Sequence, residues 1–298
     1  MSTVYTLHGV APGVQLSKFV YRNISDAAIL DRVLATRPKF VSLGEALAGG
    51  GDALTIDDAT IASADAALLA RKYGHAVTLF VNPGQIESGE TYSFLLLSVL
   101  LDQLTLRTVN LDGETFPFTN GKQKNALRER LKVRLRDMPG ETDRIAWVRE
   151  LATMWSAGSL RVPDYLKTIT FDDLKSLINS GVDIQNHGWL HDCHRRLSAP
   201  ESASAISAGR EWLRVNVNID SRYFAVPFGD VMPPANAGLD CDWWLTVDDR
   251  VPLGKLDDDV WNRVTLEAPP KLGPVDQLKK RAQRFARITR KRFPLLGA

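Results

Sequence analysis

The feature that most constrains the fold of this 298-residue chain is a series of short apolar segments, several of which end in a polar side chain or a tight turn. Val4 to Leu7 precedes His8, and Ala53 to Ile56 precedes two adjacent carboxylates. A helical pattern from Ile61 to Tyr73 then leads to another apolar segment at residues 75–81. This strand–helix–strand order favours a parallel sheet covered by helices.

The later strand candidates continue this pattern, and they comprise residues 182–184, 223–226, 243–247 and 263–266. His187 follows the first of them, and a Pro-Phe-Gly turn follows the second. The carboxyl ends of parallel strands share one edge of a sheet, and active sites assemble at that edge. The sequence therefore predicts an α/β fold whose functional residues lie along one edge.

Residues 83–165 differ from the rest, because helical patterns replace the strand candidates. Three such patterns are present, at residues 92–104, 123–137 and 142–155. We interpret this stretch as a helical insertion over the sheet. The predicted domain then spans residues 1–270, and a basic C-terminal tail follows at residues 271–298.

Asp58, His187 and His191 are the candidate metal ligands. One carboxylate and two imidazoles suit zinc or another divalent transition metal, and three protein ligands leave an open position, as in catalytic sites. Adjacent side chains of a strand point to opposite faces, so we do not expect Asp57 to bind the same ion. Asp57 is better placed to accept a proton from an attacking water, and His8 is the candidate acid.

Two further regions complete the candidate site. The turn formed by Pro227, Phe228 and Gly229 offers a backbone N–H to a developing oxyanion. Trp243 is a candidate for stacking on a sugar ring, although tryptophans more often belong to a core. Together with the metal ligands, these residues predict metal-assisted hydrolysis of an amide or ester.

Two similar patterns have structural interpretations instead. Residues 170–173 (Thr-Phe-Asp-Asp) contain a second Asp-Asp pair, but they open an amphipathic helix, where carboxylates favour the first turn. His194 is a further imidazole, yet its neighbours Arg195 and Arg196 favour a position on a solvated face. We therefore predict no catalytic role for either.

The order of these motifs resembles that of the polysaccharide deacetylases of carbohydrate esterase family 4. The first motif of the family, Thr-Phe-Asp-Asp-Gly, is matched by residues 55–59 (Thr-Ile-Asp-Asp-Ala). The second, His-Ser/Thr-x-x-His, is matched by residues 187–191 (His-Gly-Trp-Leu-His). The third, Arg-x-Pro-Tyr/Phe-Gly, is matched by residues 225–229 (Ala-Val-Pro-Phe-Gly). The resemblance covers residues 4–267, interrupted by the insertion.

The resemblance implies the distorted (β/α) barrel of that family. It also implies that Asp57 is the base and that the metal ligands are Asp58, His187 and His191. Within the family, the chain is similar to a branch that deacetylates poly-N-acetylglucosamine and has circularly shifted strands.

That branch has a Tyr-His near its N-terminus as the general acid, and its third motif begins Phe-Ala. This chain has Leu7-His8 and Phe224-Ala225 at these places, and no histidine follows His194. The resemblance therefore assigns the role of acid to His8.

Three departures from the family pattern bear on activity. Ala59 replaces a glycine, which is unfavourable if the turn needs a positive φ. Gly188 replaces the Ser or Thr of the second motif, and the arginine of the third motif is absent. Arg263 is a candidate to orient Asp57 in its place, with a surface or substrate contact as the alternative.

By this resemblance, we expect a metal-dependent hydrolase that removes an acetyl group from an amino sugar in glycan biosynthesis. Its substrate would be an N-acylated sugar or a lipid-linked glycan, and its cofactor one zinc ion, with nickel, cobalt or manganese as alternatives. Two other functions stay open, namely a deformylase or cyclic-amide hydrolase of the same fold and a non-catalytic glycan-binding relative. A binding protein has no need of a base beside the metal, so Asp57 favours an enzyme.

Charge is unevenly distributed along the chain. Residues 271–298 carry nine Lys or Arg and one acid, whereas residues 1–270 carry 28 basic and 34 acidic residues. The N-terminus has neither a basic start nor an apolar signal core, and only two cysteines occur, so we expect a cytoplasmic protein. The tail suggests peripheral contact with anionic lipid at the inner face of the membrane rather than nucleic-acid binding, since the body is acidic.

We predict that deleting residues 277–298 weakens flotation of the protein with anionic liposomes. The lost attraction is electrostatic, so the difference from the intact chain should shrink as salt is added. Equal flotation of the truncated and intact proteins would contradict a membrane role for the tail.

Overall fold

A computed structural model describes residues 2–12, 24–230 and 241–266 of the chain. The basic tail lies outside these residues, as does the predicted domain boundary at residue 270. Among the described residues, no helix combines the length and the apolar character that a membrane crossing requires.

Strands and helices alternate along most of the chain. The strands are β1 (Val4–Leu7), β2 (Gly9–Ala11), β3 (Ile24–Asp26), β4 (Ala53–Asp57), β5 (Thr78–Val81), β6 (Thr108–Leu111), β7 (Glu114–Pro117), β8 (Asp183–Asn186), β9 (Tyr223–Ala225), β10 (Trp243–Thr246), β11 (Gly254–Asp257), β12 (Val260–Asn262) and β13 (Val264–Thr265). The helices are α1 (Ala27–Thr36), α2 (Leu43–Leu47), α3 (Ile61–Lys72), α4 (Pro83–Ser88), α5 (Ser93–Gln103), α6 (Gly121–Asp137), α7 (Glu141–Met154), α8 (Phe171–Asn179) and α9 (Ala199–Val217).

The main sheet has nine strands in the order β11-β12-β10-β9-β8-β5-β4-β1-β13. All neighbours are parallel except β11 and β12. Only Arg263 separates β12, which pairs with β10, from β13, which pairs with β1. The two ends of the parallel sheet are thus consecutive in the chain, and the sheet closes into a barrel. The predicted distorted (β/α) barrel is confirmed.

The largest apolar cluster lies between the strands and the helices that cover them. Every residue of β4 is buried, as expected for a parallel strand covered on both faces. Ala66, Ala67 and Ala70 of α3 pack into this cluster with Ile56 and Leu79 of the sheet. Small side chains on α3 let the helix lie close to the strands, and this fixes the loop that carries the paired carboxylates.

The inserted stretch has a core of its own and is not purely helical. An apolar cluster joins α5, α6 and α7, with Leu100, Leu131 and Val148 fully buried. The prediction missed the hairpin of β6 and β7, because only alternate residues of its exposed first strand are buried. Asp112 and Gly113 at its tip have φ of 51° and 81°, the positive values that a two-residue hairpin turn needs.

Helices α8 and α9 both begin with a capping box. The second Asp-Asp pair opens α8, where Thr170 and Asp173 form a reciprocal capping box, so its structural interpretation is confirmed. The 19-residue helix α9 is absent from the predicted elements, although Ser198 and Glu201 form the same kind of box at its start.

His75 joins three parts of the structure at the amino-terminal side of β5. Its Nδ1 accepts a hydrogen bond from the Phe40 N–H (3.0 Å), and its Nε2 donates to the Leu34 carbonyl (2.9 Å). Burial lowers the pKa of His75 below its ordinary value, although the bond to Leu34 opposes this shift. Protonation of Nδ1 would break the bond to Phe40, so the folded chain favours neutral His75.

We predict that the free energy of unfolding falls less between pH 7 and pH 5 in His75→Gln than in wild type. Below about pH 6.5 the unfolded chain takes up a proton that folded His75 resists, so the free energy of unfolding falls. The variant should be about 1–3 kcal/mol less stable at pH 7, because buried hydrogen bonds are lost, and should change less between pH 7 and pH 5. Urea unfolding of metal-free protein measures both effects, and equal changes with pH in the two proteins would contradict the assignment.

Candidate metal and catalytic centre

The predicted site residues follow strands that run in the same direction. His8 follows β1, Asp57 ends β4, His187 follows β8, and Pro227 follows β9 after a single residue. These strands are parallel members of one sheet, so their carboxyl ends form one rim of the barrel. The rim holds the side chains in one place although they are far apart in sequence.

Asp58, His187 and His191 converge at this rim. Their candidate ligand atoms all lie within 4.8 Å of one another, and the three residues are buried. Asp58 Oδ1 lies 3.6 Å from His187 Nε2 and 3.5 Å from His191 Nε2, longer than a hydrogen bond. Within the described part of the chain, Asp58 Oδ1 has no hydrogen-bond partner. A buried carboxylate oxygen without a partner, beside two imidazole nitrogens, fits a bound cation.

The two imidazoles are held in different ways. Nδ1 of His187 lies 2.7 Å from the Ala225 carbonyl oxygen, which can only accept, so Nδ1 carries the proton and Nε2 presents its lone pair. Nδ1 of His191 has no hydrogen-bond partner among the described residues. Burial, with smaller contributions from the neighbouring His187 and Arg144, holds the pKa of His191 well below its ordinary value. A neutral imidazole is the form that binds a metal.

Backbone geometry accounts for two departures from the family motifs. The positive φ of the first motif falls on Asp58 (69°), whereas Ala59 is not among the residues with positive φ. Alanine at position 59 is therefore not strained in the way its replacement of glycine suggested. Gly188 has φ 89°, and an added Cβ would lie 3.2 Å from both His194 Nε2 and the Leu190 carbonyl oxygen. Glycine suits this position better than the Ser or Thr of the family.

Asp57 is paired with Arg263. The guanidinium donates to both carboxylate oxygens at 2.7 Å, and also to Thr55 Oγ1 at 2.9 Å. Burial alone raises the pKa of Asp57, but the Arg263 charge, the influence of His187 and the Arg263 hydrogen bonds outweigh it and lower the pKa to about 2. Arg263 was predicted either to orient Asp57 or to make a surface or substrate contact, and the structure shows the contact with Asp57.

His8 belongs to the same charged centre. Burial lowers its pKa, while the carboxylates of Asp58 and Asp57 oppose the shift. Ser63 of α3 donates to the backbone carbonyls of His8 (2.8 Å) and Asp57 (3.2 Å). One helix side chain thus fixes the ends of β1 and β4 relative to each other.

The turn after β9 forms another wall of the site. Pro227 has no N–H, and the Gly229 N–H donates to the Val226 carbonyl, so Phe228 carries the candidate oxyanion donor. Phe228 has φ 63°, and its ring packs edge-on against His191 with centroids 4.7 Å apart. A Cβ at Gly229 would lie 2.8 Å from the Val247 carbonyl oxygen, so this position requires glycine.

Two predictions about individual side chains differ from the structure. Trp243 is the first residue of β10, at the opposite end of the barrel, where it packs against Trp261 and Lys255. It is therefore not part of this site, since the site lies at the carboxyl ends of the strands. His194 is buried rather than solvated, and its Nδ1 lies 2.8 Å from Ser202 Oγ of α9. The unpredicted helix α9 is what covers it.

Tyr92 and Asn82 are site residues that the sequence prediction missed. The buried Tyr92 hydroxyl accepts the Ala59 N–H (2.8 Å) and donates to Asn82 Oδ1 (3.1 Å). Asn82 Nδ2 in turn donates to the His187 carbonyl (2.6 Å). These two side chains therefore connect the first motif to the second. Asn82 follows β5 directly. A search for polar residues directly after each predicted strand would therefore have found it.

Comparison with known proteins gives one family match. Residues 150–238 match the family model described as polysaccharide deacetylase. The matched stretch contains the second and third motifs, residues 187–191 and 225–229, whereas the first motif and most of the insertion precede it. No curated protein matches the sequence significantly.

Three solved structures are similar at low sequence identity. The Streptococcus pyogenes deacetylase PplD in complex with acetate is 14% identical, with a TM-score of 0.57 over 93% of this chain and 96% of that chain. IcaB from Ammonifex degensii is 16% identical, with a TM-score of 0.52 over 95% and 96%. A de-N-acetylase from Aggregatibacter actinomycetemcomitans is 11% identical, with a TM-score of 0.54 over 93% and 98%. At such identities the likeness shows a common fold.

We predict that Tyr92→Phe destabilises the protein by about 1–3 kcal/mol, because the Ala59 N–H and the Asn82 amide lose a buried partner. Urea unfolding of metal-free protein measures the change. Tyr73→Phe is the matched control. The Tyr73 hydroxyl donates to Asp31 Oδ1 (2.8 Å), which is partly exposed and lies away from the rim. Equal losses in the two variants would show that the Tyr92 hydroxyl has no special role between the motifs.

Proposed function

We propose that this chain, which its family match, motifs and fold assign to the polysaccharide deacetylases, is a metal-dependent enzyme that removes acetyl groups from an amino-sugar polymer. The convergence of Asp58, His187 and His191 beside the paired Asp57 is the observation that carries this proposal. A glycan-binding protein would need neither a buried base nor a fixed orientation for it.

The donor set indicates which ion would bind. One carboxylate and two imidazoles favour zinc, and they also accept nickel, cobalt or manganese. A divalent cation held by these three residues would polarise the acyl carbonyl and acidify the attacking water, which suits a base as weak as Asp57.

Asp57 would accept a proton from the attacking water. With a pKa of about 2, its carboxylate is ionised at every pH at which the protein is expected to act. The two Arg263 bonds prevent rotation of the carboxylate and leave its remaining lone pairs to receive the proton. Arg263 would thus take the place of the arginine that the third motif lacks.

His8 and Phe228 would act on the other atoms of the amide. His8, in the protonated form that the Asp58 and Asp57 carboxylates favour against burial, would give a proton to the departing amine, as in the branch with circularly shifted strands that this chain resembles. The Phe228 N–H would donate to the carbonyl oxygen as negative charge develops on it. With Asp57 and the three ligands, these residues supply every proton transfer that amide hydrolysis requires.

Acetate and a free amino sugar would be the products. The acetate in the complex of the Streptococcus pyogenes relative is the product expected of such a reaction. We further propose a role in glycan biosynthesis on the inner face of the membrane, with a lipid-linked glycan as substrate. The charge of residues 271–298 supports this location, and the liposome experiment tests it.

We predict that Asp57→Asn lowers acetate release from N-acetylglucosamine oligomers by about 10²–10⁴-fold, because an amide cannot accept the proton. Metal content of the variant, measured by elemental analysis, should stay near that of wild type. Asp172→Asn is the matched control, since this carboxylate belongs to the other Asp-Asp pair and is exposed at the start of α8.

Three results would contradict parts of the proposal. Acetate release that survives complete chelation would exclude metal dependence, and full activity of Asp57→Asn would exclude the assigned base. A protein that binds metal but releases no acyl group from acetylated or formylated sugars would be a glycan-binding relative.

A further inference from the structure

We infer that Arg144, which lies in the insertion, is a positioning residue that holds the His191 loop in its metal-binding conformation. The inference concerns the ligand set of the proposed function and rests on it. Residues 150–238 match the family model, and Arg144 lies before them. The family match therefore says nothing about Arg144, and its inferred role rests on the contacts in this structure.

The guanidinium of Arg144 is completely buried and almost fully hydrogen-bonded. Its Nη2 donates to the backbone carbonyl of His191, and its Nη1 donates to the carbonyls of Met138 (2.6 Å) and Pro139 (2.9 Å). Its Nε donates to Glu141 (2.9 Å). A single side chain thus joins the start of α7 to the carbonyl of a candidate metal ligand.

Glu141 anchors this contact to a second helix. Its carboxylate accepts the Ser93 N–H (2.6 Å) and the Ser93 hydroxyl (2.8 Å) at the start of α5, and it also accepts from Arg144. Both members of the ion pair are fully buried, so removing one would leave an uncompensated charge in the interior. The anchor is therefore a buried and hydrogen-bonded pair that joins α5 to α7 within the predicted insertion.

Other bonds join the insertion to the same loop. The Glu141 N–H donates to Asp192 Oδ1 (2.9 Å), and the Cys193 N–H donates to the Pro139 carbonyl (2.9 Å). Three consecutive loop residues, 191–193, are thus bonded to residues 139–144. The stretch from residue 187 to residue 193 has no helix or strand of its own, so bonds from outside define its path. At residues 191–193 these include the bonds from residues 139–144.

The difference between the two imidazoles explains why His191 depends on Arg144. The His187 ring is oriented by its bond to the Ala225 carbonyl, which is the usual arrangement for a ligating histidine. The His191 ring has no such bond within the described residues, and it is surrounded by the rings of Tyr92, Phe94 and Phe228. Its direction therefore follows from where the backbone is held.

Arg144 also touches the wall that carries the oxyanion donor. Its guanidinium carbon lies 5.2 Å from the centroid of the Phe228 ring, and this ring packs on His191. Moving Arg144 would thus disturb a metal ligand and the third motif together. Lysine cannot replace it, because an ammonium lacks the planar set of donors that reaches four acceptors at once.

The experiment compares the affinity of metal-free wild type and Arg144→Lys for Zn²⁺ by isothermal titration calorimetry. We expect the variant to bind about 10–100-fold more weakly, the usual effect of losing support around a metal ligand. Arg71→Lys is the matched control, since Arg71 also donates to two backbone carbonyls, those of Ser180 and His75, away from the rim. The control should bind Zn²⁺ like wild type.

A merely structural role is tested by further readouts. Near-ultraviolet circular dichroism and thermal unfolding of the metal-free proteins define a temperature at which wild type and every variant are folded. The titrations are made at that temperature. Co²⁺ replaces Zn²⁺ in a second titration, because its visible absorption reports the geometry of the ligands. We expect a changed spectrum for Arg144→Lys and an unchanged one for Arg71→Lys.

Glu141→Gln provides a second variant in case the lysine variant does not fold. Glutamine has one acceptor oxygen where Glu141 has two, so its NH₂ would face either the Arg144 Nε–H or the Ser93 N–H, and the variant should also bind Zn²⁺ more weakly. The double variant should lose less than the two single losses combined, because both residues act through one contact.

Each outcome separates this inference from the proposed function. Wild-type affinity and an unchanged Co²⁺ spectrum in folded Arg144→Lys and Glu141→Gln would overturn the inference while the proposed function stands. Absence of Zn²⁺ and Co²⁺ binding by wild type would overturn both.

Discussion

The buried pair between Arg263 and Asp57 is the interaction on which the closure of the barrel and the orientation of the candidate base depend. Arg263 lies where the barrel closes, between β12 and β13, and its carboxylate partner ends β4, with β1 between them. Two opposite charges in the interior stabilise each other, and loss of either would cost about 3–5 kcal/mol. The same contact that joins the closing strand to β4 also fixes the orientation of the candidate base.

The candidate metal ligands are held by a different part of the chain. Asp58 and His187 follow strands of the barrel, but His191 lies in a loop without regular structure. Side chains from residues 82–144 hold these groups through Tyr92, Asn82 and Arg144. The stretch predicted to be an insertion over the sheet therefore contributes directly to the centre. Arg144 lies on α7, which packs in the apolar cluster of α5, α6 and α7, whereas Tyr92 belongs to a second apolar cluster.

Sequence patterns predicted seven of the nine strands of the main sheet and most residues of its rim, because buried parallel strands are short apolar runs and polar groups collect where they end. They missed β11 and β12. They failed where burial depends on distant elements. His194 is buried because α9 covers it, Trp243 lies at the far end of its strand, and the hairpin of β6 and β7 is too exposed to show a clear apolar pattern.

The sequence by itself determined the fold class, the ligand types and the likeness to the polysaccharide deacetylases, since these follow from local order along the chain. Only the tertiary structure decided that Arg263 pairs with Asp57, that the positive φ falls on Asp58 rather than Ala59, and that Arg144 bonds the carbonyl of His191. The first and third depend on which groups meet when the chain is folded, and the second on the backbone path of one turn. Contacts between residues 47 to 206 positions apart leave no periodic signal in one sequence.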